Sequence, residues 1–215
     1  MSAAKATAKP GAKATRRKRA YHHGDLRRAL VGAARAILEK GGLGALSLRA
    51  VARRAGVSQA APYHHFADRD ALVSAVATEG FREFDAAMHA RMDRSRDPVE
   101  RLIAAGVAYV SFAVANPALF QVMFGATMQK LPDDPERLEA GACTYVTLEG
   151  AVAGAMAARG RDPANVPLAC LLAWSIVHGL AKLLIEGDLD PATYGAKNAE
   201  DLAERLLPLT WIPGT

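Results

Sequence analysis

The chain has 215 residues, 51% of them hydrophobic, and a formal net charge of +5. This length allows one large or two small domains with ample apolar surface for a core. Aromatic residues make up only 6% of the chain, so alanine, leucine and valine must supply most of the packing. Two cysteines, Cys143 and Cys170, do not make a disulfide framework in a chain of this length, and we expect both to be reduced and buried. No signal peptide is visible, which predicts a cytoplasmic protein.

The positive charge is concentrated towards the N-terminus. Residues 1–20 contain seven basic residues and no acidic one, and residues 21–70 contain eight basic and four acidic residues. The rest of the chain has 12 basic and 18 acidic residues. Such an asymmetry is expected of a protein that contacts a polyanion with one end only.

Residues 1–20 are too poor in apolar groups to fold alone, and we expect a disordered basic tail there. Two interpretations remain open for it. It is either a solvated tail that aids solubility, or a basic arm that follows DNA phosphates or enters a minor groove. In both cases it should add salt-dependent affinity for nucleic acid.

A first helix is predicted from Gly24 or Asp25 to Gly41-Gly42, and a helix-turn-helix follows it over residues 47–66. In the first helix of that motif, Leu48, Val51 and Ala52 recur at i, i+3 and i+4, the spacing of one buried helical face. Ser47 is placed to cap this helix. The motif then continues into a tight turn.

Gly56 interrupts the pattern and can adopt the positive φ that a sharp turn requires. Ser58 is placed to cap a second, short helix that ends at Phe66, which we expect in the core. Because this second helix is short and poor in apolar side chains, it suits insertion into a DNA major groove.

The second helix carries the side chains that we expect to face DNA. Gln59 can pair with adenine and Ala60 can contact a thymine methyl, while Tyr63 and His64 can donate to phosphates. Pro62 lacks an N–H and should disturb the first turn, which leaves the register of base contacts open. Arg49 and Arg69 are further candidates for phosphate contacts, and Ser58 lies in the turn. The predicted DNA-binding residues are therefore Arg49, Ser58, Gln59, Ala60, Tyr63, His64 and Arg69.

No metal site is predicted in this segment. His64 and His65 are adjacent in the chain, so they point in different directions and make a poor pair of ligands. Elsewhere the sequence contains no cysteine and histidine set with metal-ligand spacing. We therefore expect neither a metal nor another cofactor.

These motifs resemble the DNA-binding half of TetR-family transcriptional regulators. Leu48-Arg49-x-Val51-Ala52-x-x-Ala55-Gly56-Val57-Ser58 is similar to the family's first motif helix and turn, and Tyr63-x-His65-Phe66 to the end of its recognition helix. Asp68-Arg69-Asp70-Ala71-Leu72 resembles the start of the fourth helix, where the family usually has Lys in place of Arg69. The resemblance runs from about Gly24 to Phe84.

The remaining chain is predicted to be helical as well. A long helix over residues 68–95 continues beyond the DNA-binding segment and could transmit movement between two domains. Apolar periodicity and the positions of proline and glycine predict further helices at 98–115, 117–125, 136–159, 162–186 and 198–207.

The segment 166–185 is apolar and long enough to cross a membrane. His178 and Lys182 lie within it, however, and burial against its own domain and a partner subunit explains it better. Trp174, His178 and Gly179 also resemble the Trp-His-Gly signature of one class of TetR-family C-terminal domain. The run Asn116-Pro117-x-Leu119-Phe120-x-x-Met123-Phe124 supports that resemblance, which covers about residues 100–190.

The resemblance implies an all-α protein of about nine helices. It comprises a helix-turn-helix domain at residues 24–84 and an effector-binding and dimerisation domain at residues 85–210. It also implies a homodimer that binds a palindromic operator, acts as a repressor and is released by a small molecule. The residues that we expect to line the effector pocket are Phe84, Met88, Phe112, Met123, Phe124, Tyr145, Trp174 and His178. Each of them could instead be ordinary core.

Two other functions are compatible with parts of the sequence. An enzyme is disfavoured, because no phosphate loop, nucleophile elbow or paired carboxylates are present and Glu149 and Glu186 are isolated acids. A protein that coats DNA through its basic tail would bind all sequences nearly equally. A regulator should prefer its operator by about 10³-fold or more.

Overall fold

The computed structural model describes the backbone of residues 23–211 and the side chains of residues 26–210. Every regular element in that range is helical, which confirms the all-α prediction. The α-helices are α1 (His23–Gly41), α2 (Leu48–Ala55), α3 (Arg69–Met92), α4 (Pro98–Ala115), α5 (Pro117–Phe124), α6 (Pro135–Ala158), α7 (Val166–Glu186) and α8 (Ala199–Leu206). The predicted basic tail at residues 1–20 lies outside the described residues.

Helices α1 and α2 form as their apolar spacing predicts. Leu30 and Leu38 of α1 are buried, and Val51 and Ala52 of α2 are completely buried. The Ser47 hydroxyl accepts the Ala50 N–H at 3.1 Å and caps α2. Gly56 ends that helix in the left-handed conformation, with φ of 69°.

The recognition helix is a 3₁₀-helix over Ala61–His64, not an α-helix. Ala60 occupies its N-cap position and no side chain caps it, so the cap predicted for Ser58 is wrong. Pro62 is buried at the second position of the helix, where it cannot donate a backbone hydrogen bond. Its carbonyl accepts the N–H groups of both His65 and Phe66 at 2.9 Å. The sequence predicted about nine helices, and the described residues form eight α-helices and six 3₁₀-helices.

Helix α3 connects the N-terminal helices to the rest of the molecule. The Asp68 carboxylate accepts the Ala71 N–H at 2.8 Å and caps the N-terminus of α3. All seven residues at positions 72–78 are buried, a pattern that a one-sided amphipathic helix does not show. The burial follows from packing on several sides, because α1, α4, α5 and α6 all contact α3. Two parts of the protein therefore share this helix.

The C-terminal helices form a bundle around α4, which contacts α3, α5, α6, α7 and α8. Helix α5 lies close against α3 at Gly80, where an added Cβ would be 2.8 Å from the Met123 sulfur. Cys170 is buried in this bundle, whereas Cys143 is exposed, so the prediction that both thiols are buried is wrong for Cys143. Its neighbours Ala142, Tyr145 and Val146 on α6 are exposed as well.

Two helical segments, Pro98–Ala115 and Pro163–Glu186, are long and apolar enough to cross a membrane. The buried share is 44% for the first and 22% for the second. Core helices of soluble proteins have the same length and composition, so these segments are weak evidence for a membrane span. For α4 the contacts with five other α-helices account for its apolar character. Helix α7 leaves an apolar face uncovered.

Candidate DNA-binding surface and effector cavity

The helix-turn-helix exposes polar side chains on top of a buried apolar layer. Pro62 and Phe66 are buried beneath the recognition helix, and Tyr63 is 53% exposed above it. The Arg27 guanidinium lies over the Phe66 ring, 5.7 Å from its centroid, and ties α1 to the end of the motif. The predicted contact residues that are exposed to solvent are Arg49, Ser58, Gln59, Ala60, Tyr63 and His64.

Arg69 is placed differently from the other predicted contacts. Its guanidinium donates to the carbonyls of Leu46 at 3.0 Å and of Leu43 at 2.7 Å. These bonds fasten the start of α3 to the loop before α2. The side chain keeps 40% exposure, so a phosphate contact stays a prediction, while the structural role explains why a long guanidinium is useful here.

A cavity of about 850 Å³ opens in the C-terminal bundle. Its walls come from α3, α4, α6 and α7, with contributions from the end of α5 and from the C-terminal segment. The volume lies within the range of small-molecule sites. Its lining includes Phe81, Phe84, Met88, Leu102, Tyr109, Phe124, Thr144, Tyr145, Leu148, Met156, Leu168, Leu172, Trp174, Ile176, Val177 and Leu207.

One wall of this cavity is aromatic. The rings of Phe81 and Phe124 meet edge to face at 5.5 Å between centroids, and those of Phe84 and Tyr109 at 5.0 Å. The remaining walls are mainly aliphatic, with leucines, methionines and valine from α3, α4, α6 and α7. Six of the chain's 13 aromatic residues line the cavity, which concentrates a scarce residue type at one site.

Five of the eight predicted pocket residues line the cavity, namely Phe84, Met88, Phe124, Tyr145 and Trp174. The other three do not. Phe112 packs against Phe84 at 5.2 Å between centroids, Met123 is 1% exposed between α5 and α3, and His178 lies behind the wall. Apolar helical spacing cannot distinguish a side chain that faces a cavity from one that faces its neighbouring helix.

A hydrogen-bonded trio joins two wall residues, Tyr109 and Trp174, to His178 behind them. The Tyr109 hydroxyl lies 2.7 Å from Nδ1 of His178, and the Trp174 indole N–H donates to the same hydroxyl at 3.4 Å. Burial raises the pKa of Tyr109, and burial, together with nearby Lys182, lowers the pKa of His178. Both shifts favour the uncharged forms near neutral pH. Tyr109 was not among the predicted pocket residues.

A second polar cluster joins α1 to α5. Arg35 of α1 donates from Nη2 to the Asn116 side-chain oxygen at 2.8 Å and pairs with Glu83 of α3 through Nη1. The Asn116 amide in turn donates to the Phe112 carbonyl at 2.9 Å. Asn116 directly precedes α5, whose other end places Phe124 in the cavity wall. One short helix thus contacts both the DNA-binding part and the cavity.

A buried arginine links α3 to α6. Arg137 is 5% exposed and donates to the Ser74 hydroxyl at 2.9 Å, and Ser74 donates to the Asp134 carboxylate at 2.6 Å. The Ser74 hydrogen bond is the main cause that lowers the pKa of Asp134. The cluster fixes the start of α6 against the buried stretch of α3.

No group of three or more histidine, cysteine, aspartate or glutamate residues suited to a metal ion occurs in the described part of the chain. His64 is exposed and His65 is half-buried, with their side chains in different surroundings. The structure thus has an exposed polar surface on the helix-turn-helix and an apolar cavity in the C-terminal bundle.

An exposed helix-turn-helix joined by a shared helix to a cavity-bearing bundle defines a DNA-binding regulator. Residues 30–76 match the description "Bacterial regulatory proteins, tetR family", and residues 102–209 match "Tetracyclin repressor-like, C-terminal domain". The chain belongs to the TetR family of transcriptional regulators. The second match covers half of the chain and includes Trp174, His178 and Gly179. Membership in this family confirms that the protein is a regulator and not an enzyme.

Known proteins similar to this chain support the assignment. An HTH-type transcriptional regulator of Mycobacterium tuberculosis is 33% identical over 130 residues, 58% of this chain and 52% of the relative. The chain therefore spans about half the length of the curated relatives it matches. A structure of a protein with unknown function from Rhodococcus sp. RHA1 is 35% identical, with a TM-score of 0.77, over 90% of this chain and 97% of that one.

A more distant structure shares the fold. The transcriptional regulator FadR from Bacillus subtilis, solved in complex with stearoyl-CoA, has a TM-score of 0.62 at 14% identity. The similarity covers 87% of this chain and 98% of that chain. At this identity the similarity concerns the arrangement of helices alone.

Proposed function

We propose that this protein is a cytoplasmic repressor that binds a palindromic operator as a homodimer and leaves it when a small molecule fills the cavity. The main support for this proposal is the exposed polar surface at Gln59, Tyr63 and His64, which lies on the buried Pro62 and Phe66. The proposed domains are residues 24–84, which bind DNA, and residues 85–210, which bind the effector and dimerise. Helix α3 crosses the boundary without a break.

On the DNA side, base reading rests on few side chains. Gln59 can pair with adenine, and Tyr63 and His64 can reach phosphates or base edges. Ala60 and Ala61 contribute only apolar contact. Much of the affinity must then come from phosphate neutralisation by Arg49 and other basic residues, which makes binding strongly dependent on salt.

For the dimer, we propose the uncovered faces of α6 and α7 as the two-fold interface. Val146 of α6 is 63% exposed, and Leu171 and Leu183 of α7 are 56% and 44% exposed. Apolar faces of this kind are typical of surfaces that a partner covers. The variants Val146→Glu and Leu171→Glu should sediment as monomers, whereas Leu209→Glu, which is 61% exposed in the C-terminal 3₁₀-helix, should remain dimeric.

Release of the operator requires that the effector bind the DNA-free conformation more tightly than the DNA-bound one. Helix α5 provides a physical connection, because Phe124 lines the cavity and Asn116 holds Arg35 of α1. A ligand that displaces the Phe124 ring would tilt or shift α5 and with it the hydrogen bond to α1. The Bacillus subtilis FadR, which shares this arrangement of helices, was solved in complex with stearoyl-CoA, and a ligand-bound regulator of this fold is compatible with the proposal.

The proposal is tested by selection of DNA from a random duplex library on the full-length protein. We expect an enriched inverted repeat whose half-sites are about one helical turn, ~34–36 Å, or a multiple of it apart. A library that remains random after several rounds would favour the alternative, a protein that coats DNA regardless of sequence. The Tyr63→Ala variant serves as the control that should enrich no motif.

A further inference from the structure

The walls of the cavity carry almost no charge. Among the residues that line it, only Arg161 and Asp162 are charged, and both are exposed where α6 ends and α7 approaches. The Asp162 carboxylate accepts the Ala164 N–H at 2.9 Å. A charged group placed deeper in the cavity would lose its hydration without gaining a partner of opposite charge, which is strongly unfavourable.

The charged groups behind the wall do not change the uncharged character of the cavity lining. Lys182, on the same helix as Trp174 and His178, forms an ion pair with Glu186. Tyr109, His178 and Trp174 form a hydrogen-bonded trio, and burial raises the pKa of Tyr109 and lowers the pKa of His178, which favours their uncharged forms near pH 7. The deep part of the cavity therefore selects against anions and cations alike.

The Tyr109 hydroxyl retains one hydrogen-bonding position. A phenol can donate once and accept twice. The Trp174 N–H uses one acceptor position, and Nδ1 of His178 uses either the donor or the second acceptor position, depending on the histidine tautomer. In both tautomers one position remains for a further partner. A ligand hydroxyl satisfies it in either case, because a hydroxyl can both donate and accept.

The shape of the lining favours a ring compound. Phe81, Phe84, Phe124 and Tyr109 form a continuous aromatic wall through contacts at 5.0 to 6.2 Å between centroids. Aromatic and ring-bearing molecules gain offset or edge-to-face contacts on such a wall. Met88 and Met156, which also line the cavity, can adjust to the outline of a rigid ligand.

From the uncharged walls, the aromatic face and the open position on Tyr109, we infer that the cavity binds an uncharged, mainly apolar ring compound whose hydroxyl contacts the Tyr109 hydroxyl. This inference rests on the proposed effector role of the cavity and assigns the chemical class of the effector. It predicts that, among ligands with the same ring system, the cavity binds those with an uncharged head group more tightly than those with a charged one.

The test uses three probes with one ring system: 1-pyrenemethanol, 1-pyrenecarboxylate and 1-pyrenemethylammonium. Binding is measured by energy transfer from tryptophan to pyrene in full-length protein carrying Trp211→Phe, which leaves Trp174 as the donor. We expect one probe per chain, with the alcohol bound at least tenfold more tightly than either ion. Equal or tighter binding of an ion, or no binding of any probe, would overturn the inference.

Two variants locate the probe. Ala173→Phe fills part of the cavity and should weaken 1-pyrenemethanol at least tenfold, whereas Ala90→Phe, on an exposed position of α3, should not. Tyr109→Phe removes the proposed hydroxyl contact. It should lower the preference for 1-pyrenemethanol over 1-methylpyrene severalfold, and an unchanged preference would refute the assigned contact even if affinity falls for both probes.

These measurements contain no DNA, so they separate the inference from the proposed function. If 1-pyrenemethanol binds as expected but does not alter operator affinity, the ligand class stands and effector-controlled release fails. If the alcohol shows no preference while another compound releases the operator, the release mechanism stands and the ligand class fails.

Discussion

The Arg35 guanidinium and the Asn116 side-chain oxygen form a 2.8 Å hydrogen bond that joins α1 to the start of α5. The two residues are 81 positions apart in the chain. Since α5 also supplies Phe124 to the cavity wall, this bond connects α1 to a helix that lines the cavity. Glu83 of α3 pairs with the same guanidinium and fixes its position.

The Arg35–Asn116 bond should be measurable as an energetic coupling. Because the donor is charged and the bond is partly buried, a double-mutant cycle with Arg35→Met and Asn116→Ala should give an interaction of about 1 kcal/mol in the free energy of unfolding. Urea denaturation of the four proteins gives this value. Additive effects of the two substitutions would show that the bond contributes nothing.

Arg49 should contribute to DNA affinity without contributing to sequence preference. Arg49→Ala should weaken binding to operator and random duplex by similar factors. It should also reduce the slope of log K against log salt by about 1. Arg96→Ala, an equally exposed arginine between α3 and α4, is the matched control. A loss confined to the operator would mean that Arg49 reads a base.

Two serines on core helices should respond in opposite ways to replacement by alanine. Ser74→Ala leaves buried Arg137 without its hydroxyl partner and removes a donor from Asp134, which should cost about 1–3 kcal/mol. The Ser111 hydroxyl is buried and, within the described residues, has no partner. Ser111→Ala should therefore be neutral or stabilising. Equal destabilisation by both substitutions in urea would contradict the role given to Ser74.

His178 should make the fold less stable at acidic pH. Its pKa in the fold is lowered from 6.5, chiefly by burial and secondarily by Lys182. The unfolded chain therefore takes up a proton first as pH falls, so the stabilisation present above pH 6.5 is lost as pH drops through that value. His178→Gln should show a smaller loss of unfolding free energy between pH 7.5 and 5.5 than the parent. The exposed His64→Gln serves as control, and a parent-like loss in His178→Gln would contradict the assignment.

Local features of the helix-turn-helix were predictable from sequence because they depend on neighbouring residues. The Ser47 cap, the turn at Gly56 and the buried face of Val51 and Ala52 all follow from spacing and residue type. The conformation after the turn was harder to predict. Pro62 was expected to disturb the helix, yet the 3₁₀ geometry and the missing Ser58 cap depend on how the whole turn packs.

The cavity was only partly predictable, because a stripe of apolar residues looks the same whether it faces a void or a helix. Phe84 and Phe112 are both aromatic and nearly buried, but only Phe84 lines the cavity. Long-range polar contacts leave no sequence signal at all. The bond between Arg35 and Asn116 and the buried Arg137–Ser74 pair join residues more than 60 positions apart.

The central claim, sequence-specific DNA binding through the recognition helix, is tested most directly by competition. Labelled operator from the selection is bound to the dimer at fixed salt and displaced by unlabelled operator or by random duplex, for the parent and for Tyr63→Ala. The account predicts a preference for the operator of about 10³-fold or more in the parent. It also predicts weaker operator binding by Tyr63→Ala, with the dimer intact by sedimentation. Equal displacement by both duplexes in the parent would contradict it.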